Sequence, residues 1–254
     1  FENNSELSKK IINSQKPMIV LGESFLKLKS ASYLFYSLKK FLKNNNKFTN
    51  EWNSLNLLST DAATVGNFDL DIVNENENLI NDLKLNKFEL IYLLGQDNLD
   101  FNKKNEFIIY QGSHGDKGAE IADIILPGAA YTEQSAHFTN LEGRIQKAYK
   151  ASYPPGEAKE DWQIINELAE LMNNRKLFND KEELESSMLN FLNLKKEKQN
   201  FDSIKMNNQN NFENETLKIK IKDYYFSNVI ARSSKTMLDC NNSKHEIKRT
   251  GTEG

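Results

Sequence analysis

The chain has 254 residues, of which 38% are hydrophobic and 27% charged, and its formal net charge is −3. So small an imbalance gives no electrostatic basis for binding nucleic acid or a lipid surface, and no apolar run approaches the roughly 18–20 residues of a membrane span. With Cys240 as its single cysteine, the chain can build neither a disulfide framework nor a thiolate-ligated iron–sulfur or zinc site, each of which needs several thiols.

A chain of this length buries roughly three quarters of its unfolded surface, so one large domain, or a domain plus an appendage, is expected. The mean hydropathy of −0.67 is low for a self-sufficient α/β domain, and the deficit lies in Asn/Lys-rich segments. The first residue is Phe and no secretory signal pattern follows it, which reads as a processed or missing start.

Residues 1–16 are polar and predict a short lead-in helix. Pro17 then opens a strand, Met18–Leu21, closed by Gly22. A helix follows from about Ser24 or Ser30 to Leu42. Its apolar face is Ala31, Leu34, Phe35, Leu38, Phe41 and Leu42, at three- and four-residue spacing, and Asn44–Asn46 end it. The stretch Glu51–Asp61 reads as a connecting helix or turn, and Ala62–Phe68 as closely packed backbone. A helix over Asn76–Leu85 leads to the strand Phe88–Leu94 and Gly95.

Between Gly95 and Gly156 lie most of the glycines and three of the four prolines. They punctuate two short apolar strands, Phe107–Tyr110 and Ala122–Leu126. Near-continuous apolar strands are the mark of a sheet covered on both faces. Alternation with helices predicts an α/β fold with a Rossmann-like, doubly wound, mostly parallel sheet fed by all these strands. Such sheets bind ligands beyond the carboxyl ends of their strands. Here those ends carry Gly22, Gly95, Gln111–Gly118 and Pro127–Gly128.

Tyr131–Ala151 reads as irregular or short-stranded. Acidic residues at Glu157, Glu160 and Asp161 open a helix whose inner face is Trp162, Ile165, Leu168, Ala169 and Met172. Lys181–Leu194 is a second amphipathic helix. Lys195–Glu215 reads as a polar linker, Leu217–Ile221 alternates with period two, and Ser227–Cys240 reads as a terminal helix before a polar end. The organisation expected is an α/β domain over residues 1–175 and a helical extension, linker and tail over 176–254.

Three constellations could carry chemistry. Gln111–Gly118 (QGSHGDKG) follows a strand and could cradle a phosphate with backbone N–H groups. It matches neither the dinucleotide fingerprint nor the GK[ST] ending of a P-loop, so a tight structural turn tied by Asp116 or His114 is preferred. His114, Asp116 and His137 could be drawn as a metal site, but their spacing matches no metal signature. Ser113 beside His114 lacks the elbow of a nucleophile. Asn140–Arg144 (NLEGR) holds one of only four arginines in a lysine-dominated chain. That favours a planar pairing with a carboxylate, inside the chain or on another protein.

The run YQGSHGDKGAEIADIILPGAAYTEQSAHFTNLEGRIQ, followed by PPGEAKEDWQII, resembles the C-terminal part of the largest peripheral-arm subunit of respiratory complex I. That subunit is the 75-kilodalton, or G-type, iron–sulfur protein. KPMIVLGES and WNSLNLLSTDAATVGNFDL upstream, and IKIKDYYFSNVIARSSKTMLDC downstream, resemble it too, so the likeness spans about Ile12–Cys240. The parent superfamily is that of the molybdopterin oxidoreductases, which share the ADxxLP strand (Ala122–Pro127) and the N-x-EGR-x-Q run (Asn140–Gln146). The His114–Asp116 loop is a mark of the complex I branch, which is regarded as having no molybdopterin. After Met172 only helices, a polar linker and a short tail are expected, and not the barrel that clamps the cofactor in active molybdoenzymes.

The resemblance implies a structural, non-redox role in NADH:ubiquinone oxidoreductase, with no catalytic, cofactor-binding or metal-binding residues in this chain. Gly112, His114, Gly115, Asp116, Gly118, Asp123, Pro127, Asn140, Gly143 and Arg144 would be structural or interface positions. Iron–sulfur clusters and FMN are expected in partner chains. These partners are the cluster-bearing N-terminal portion of the same subunit, expected from a split gene in preference to a longer precursor that was cut or trimmed, and other peripheral-arm subunits, including the flavin-binding and small iron–sulfur ones. No nucleic acid and no membrane insertion are implied. The expected place is the matrix side of the mitochondrial inner membrane, with the cytoplasmic face of a bacterial membrane as the alternative. The competing expectation is a free-standing nucleotide- or pterin-binding α/β protein that uses the Gln111–Gly118 loop.

Overall fold

The computed structural model describes residues 5–49, 51–59, 61–72, 78–97, 99, 102–198, 212–216, 223 and 225–246. These form two compact units. The first draws on Phe1–Asp69, Thr139–Arg144 and Leu192–Lys220, and the second on Leu70–Phe138, Ile145–Phe191 and Ile221–Gly254. The alternating stretch at 217–221 and most of the linker expected at 195–215 lie outside the described residues.

In the first unit, α1 (Glu6–Asn13) starts at Ser5, whose hydroxyl accepts the Ser8 N–H at 3.1 Å. Strand β1 is Ile19–Gly22, followed by a 3₁₀ turn at Glu23–Lys27 and helix α2 at Ala31–Asn44. The apolar spacing of α2 buries Leu38, Phe41 and Leu42 against Leu55, with Ile19, Leu21 and Phe35 packed around them. The helix stops where its asparagines permit a left-handed residue. Asn46 has φ 55°, Asn46 N–H reaches Lys43 O at 3.0 Å, and Lys47 N–H reaches Leu42 O at 2.8 Å. That double bond pattern satisfies carbonyls the helix would otherwise leave open.

The segment expected to be a connecting helix or turn contains a strand instead, β2 (Leu55–Leu58), parallel to β1 with Ile19 opposite Leu55 and Leu21 opposite Leu57. Leucine is a good helix former, but tertiary context overrides propensity, and pairing with β1 plus a buried slot for Leu55 outweighs that preference. Helix α3 (Thr64–Asp69) closes this part of the chain.

The second unit is built on β3 (Leu90–Leu94), β4 (Phe107–Gly112) and β5 (Ile124–Pro127), ordered β3-β4-β5 and parallel throughout. Parallel strands are present as the sequence implies, distributed over one sheet in each unit. Helix α4 (Leu79–Lys84) precedes β3, and a single helical turn, α5 (Lys117–Glu120), lies between β4 and β5. Leu93, Ile108 and Tyr110 form the core, covered by Ala119, Ile121 and Ala122. The stretch expected to be irregular or short-stranded holds a hairpin of two short strands, β6 (Ala136–Thr139) and β7 (Ile145–Ala148).

Helix α6 (Asp161–Asn173) opens with a reciprocal capping box between Glu160 and Gln163. It turns into α7 (Lys181–Lys198) through a loop held by Asn166, whose Oδ1 accepts Leu177 N–H at 2.8 Å and Phe178 N–H at 3.0 Å. Its amide donates back to Phe178 O at 2.8 Å. The terminal helix is broken at Ser234, in extended backbone with ψ 121°, into α8 (Val229–Ser233) and α9 (Lys235–Glu246).

Two substitutions test these supports. Leu42→Ala empties a fully buried position and is expected to cost about 2–5 kcal/mol. Asn166→Ala strands two loop N–H groups and is expected to cost about 1–3 kcal/mol. Both are read as lowered urea midpoints of the full chain.

Candidate functional site

Doubly wound sheets present their ligand sites at the carboxyl ends of the strands. In the second unit these ends are the turn at Gly95, the loop Gln111–Gly118, and Pro127–Gly128. Two polar clusters made by the chain itself stand there.

The first centres on Gln111, which is fully buried at the end of β4. A buried amide needs partners on both its oxygen and its nitrogen. Tyr92 O–H donates to its Oε1, and its Nε2 donates to Asp161 Oδ1 at 2.8 Å. The other oxygen of Asp161 accepts Gln134 Nε2 at 3.1 Å. Burial, with the Asp161 charge added, pushes the Tyr92 hydroxyl above its ordinary pKa and keeps it a donor. Gly128 is required here because a Cβ would stand 2.9 Å from Asp161 Oδ1.

The second cluster centres on Arg232 of α8. Its Nε donates to Asp116 Oδ2 at 2.5 Å, its Nη2 to Asp97 Oδ1 at 2.7 Å and its Nη1 to Phe226 O at 3.3 Å. Asp97 lies after β3 and Asp116 after β4, so one guanidinium fastens both strand-end loops. Asp116 also caps α5 by accepting Lys117 N–H at 2.8 Å. Partial burial opposes ionisation of Asp116, but the Arg232 and Lys117 hydrogen bonds outweigh it and hold the carboxyl below its ordinary range.

The glycine loop folds back on itself. Tyr110 O–H donates to His114 O at 2.9 Å, and the His114 ring sits 2.9 Å from Ser113 Oγ. A Cβ on Gly118 would fall 2.7 Å from the Gln96 carbonyl oxygen, and one on Gly112 would run into the Tyr110 ring. Gly115 is exposed with open space around it. Gly112 O accepts Gly128 N–H at 2.9 Å, and Pro127 O accepts Lys159 N–H at 3.1 Å.

The structure thus brings together Gly112, His114, Gly115, Asp116, Gly118 and Pro127. Asp123 lies at the other end of β5, where its carboxylate accepts Ile108 N–H at 2.8 Å and pairs with Lys103 at 2.5 Å. Those two partners hold its carboxyl below the ordinary range. Asn140, Gly143 and Arg144 belong to the β6–β7 turn. There Asn140 Oδ1 accepts Glu142 N–H at 3.0 Å and Arg144 N–H at 2.9 Å, and Gly143 has φ 79°. The Arg144 side chain is exposed. Sequence reasoning singled out Arg144 as the rare arginine with a partner. Asp97 and Arg232 were missed, although the same rarity argument applied to Arg232.

Among the described residues, no group of three or more His, Cys, Asp or Glu side chains is arranged to hold a metal ion. A cavity of about 520 Å³ lies elsewhere in the second unit, between β6 and the helices α6 and α7. It is lined chiefly by Leu70, Trp162, Phe178, Leu184, Met188 and Phe191, with Lys181 and Glu185 among its polar groups. Lys181 donates to Ser135 O at 2.6 Å and Glu185 pairs with Lys147 at 2.6 Å, so both charges are engaged within the chain.

Comparison with known proteins gives two matches in chain order. Residues 1–171 match the molybdopterin oxidoreductase family, and residues 183–240 match the C-terminal domain of the G-type subunit of NADH-ubiquinone oxidoreductase. The NADH-ubiquinone oxidoreductase 75 kDa subunit of Reclinomonas americana is 37% identical over 248 residues, covering 94% of this chain and 36% of that protein. The mitochondrial 78 kDa subunit of Neurospora crassa is 34% identical, covering 94% of this chain and 34% of that protein. The G-type subunit of NADH-quinone oxidoreductase from Rickettsia bellii is 37% identical, covering 92% and 34%. The chain spans about a third of the length of these relatives. Its strand-end loops, its ADxxLP strand and its Arg232-bearing tail all fall inside the matched segments: the chain belongs to the molybdopterin oxidoreductase family and carries the C-terminal domain of the G-type subunit of NADH-ubiquinone oxidoreductase.

Proposed function

We propose that this chain is a structural, non-redox part of the peripheral arm of NADH:ubiquinone oxidoreductase. It docks the iron–sulfur-bearing portion of the same subunit and supports electron transfer from NADH to quinone without a cofactor of its own. FMN and the clusters reside in partner chains, among them the flavin-binding and small iron–sulfur subunits. The body to residue 175 supplies the α/β scaffold and the rest supplies the extension. The seat is the matrix face of the mitochondrial inner membrane, or the cytoplasmic face of a bacterial one. Among the described residues no helix is long and apolar enough to cross a membrane.

One observation carries the reading: the groups at the strand ends are committed to one another. A pterin cofactor with its phosphates needs donors and space there. The charges there are the carboxylates of Asp97 and Asp116, with Arg232 already spent on both, and the Lys117 ammonium drawn toward Asp116. The room beside Gly112, Gly118 and Gly128 is taken by Tyr110, Gln96 and Asp161. These residues are a poor fit for such a group, and equally for the nucleotide phosphates of the competing reading. A single cysteine leaves no thiolate set for a cluster. Exposed apolar side chains support an obligate partner: Leu171 and Met172, at the end of α6, are each 81% accessible.

On native gels the chain is expected only within a large multisubunit assembly, and purified chain is expected to carry no iron, molybdenum or nucleotide. A stable free monomer, or stoichiometric pterin, would overturn the proposal. Arg144 stands exposed on a turn preorganised by Asn140. Arg144→Lys is therefore expected to change the chain's own stability by no more than about 0.5 kcal/mol. It should lower the amount of assembled complex without slowing turnover per complex; normal assembly with reduced turnover would contradict the docking role.

A further inference from the structure

We infer that the strand-end site of the second unit is a receptor for a planar cation, filled in cis by the Arg232 guanidinium, so that α8 acts as the latch that closes it. The inference concerns the chain's own chemistry and holds whether or not the chain docks an iron–sulfur partner.

The sign of the site comes first. A phosphate cradle would present N–H groups and cationic side chains outward. Here Asp97 and Asp116 converge from two loops onto one point, and Lys117 N–H is already taken by the Asp116 side chain. Two carboxylates meeting at a partly buried point repel each other and any anion, and favour a cation between them.

The shape comes next. The donors that reach Asp116, Asp97 and Phe226 O are Nε, Nη2 and Nη1, so every nitrogen of the guanidinium has an acceptor. Three acceptors spread along the edges of one plane suit the rigid fork of a guanidinium. A lysine ammonium, a compact point charge, cannot meet all three at once. The side chain of Arg232 is 20% accessible and those of Asp97 and Asp116 are 18% and 20%. The pair is therefore shielded far more than the solvent-facing Lys10–Glu6 pair, at 73% and 84%.

The consequence for the backbone is specific. Gly118 N–H bonds Asp97 O at 3.1 Å, and Ala119 and Glu120 N–H bond Asp116 O at 2.9 and 3.0 Å. All three bonds hang on residues whose side chains the guanidinium holds. Strand β4 has its own ladder to β3 and β5 and does not depend on the latch.

Hydrogen exchange of the full chain tests the assignment. In Arg232→Ala the amides of Gly118, Ala119 and Glu120 are expected to exchange at least roughly tenfold faster, while Ile108 and Tyr110 keep their protection. Methylguanidinium chloride at millimolar concentration is expected to restore the slow exchange, and sodium chloride at the same ionic strength is not. Arg232→Lys is expected to behave like Arg232→Ala. Unchanged exchange in Arg232→Ala, or equal restoration by sodium chloride, overturns the inference. Should Arg232→Ala fail to fold, the exchange Asp97→Arg with Arg232→Asp rebuilds the cation between two carboxylates. That double variant is expected to fold with protected amides at 118–120, and one that does not fold, or exchanges there as fast as an unlatched loop, equally overturns it.

Discussion

A buried amide at the end of the middle strand sets the terms for the second unit. Gln111 has no access to water, so its oxygen and nitrogen have to be answered from within. Tyr92 answers on one side and Asp161 on the other. Because Asp161 is the first residue of α6, the bond that satisfies the strand also sets where that helix begins. Because the second oxygen of Asp161 is claimed by Gln134, the approach to β6 is set as well. Gly128 is dictated by the same carboxylate, since any larger residue would displace it. Strand, helix entry, glycine and hairpin approach therefore share one electrostatic anchor.

Arg232 extends the same logic to charge. Exposed pairs such as Lys10–Glu6 contribute about 0.3–0.5 kcal/mol as helix neighbours and decide nothing about the fold. A guanidinium shared by two shielded carboxylates differs because each partner, left alone, would be an uncompensated charge. The strand-end carboxylates are thus bridged from inside the chain, one cation to two anions.

Much of the scaffold was legible in the sequence, for identifiable reasons. The apolar runs Phe88–Leu94, Phe107–Tyr110 and Ala122–Leu126 marked strands, but the cover expected on both faces is incomplete within the chain, where Leu90, Leu94, Ile124 and Ile125 stand exposed; the spacing of Leu38, Phe41 and Leu42 marked the buried face of α2. Asn46 was readable as a helix end because asparagine tolerates the left-handed backbone found there. Strand β2 was not readable, because four residues rich in leucine carry no period and become a strand only beside β1. Nor was the break at Ser234, which divides one periodic pattern into two helices. At the site, the glycines announced tight turns correctly. The partners of Asp116 and Gln111 were invisible, because they lie 116 and 50 residues away and no local pattern reports such pairings.

That separation has a bearing on the order in which the chain can finish folding. The loops at Asp97 and Asp116 leave the ribosome long before Arg232, which follows them by 135 and 116 residues. Until α8 emerges, two carboxylates face each other across an otherwise formed sheet, and closing so long a loop carries an entropic cost that local helices do not. The strand ends therefore remain open for the 116 residues of synthesis that separate Asp116 from Arg232, and are sealed only once α8 is made. A chain interrupted before residue 232 lacks the guanidinium that bridges Asp97 and Asp116, and leaves the two carboxylates facing each other without it.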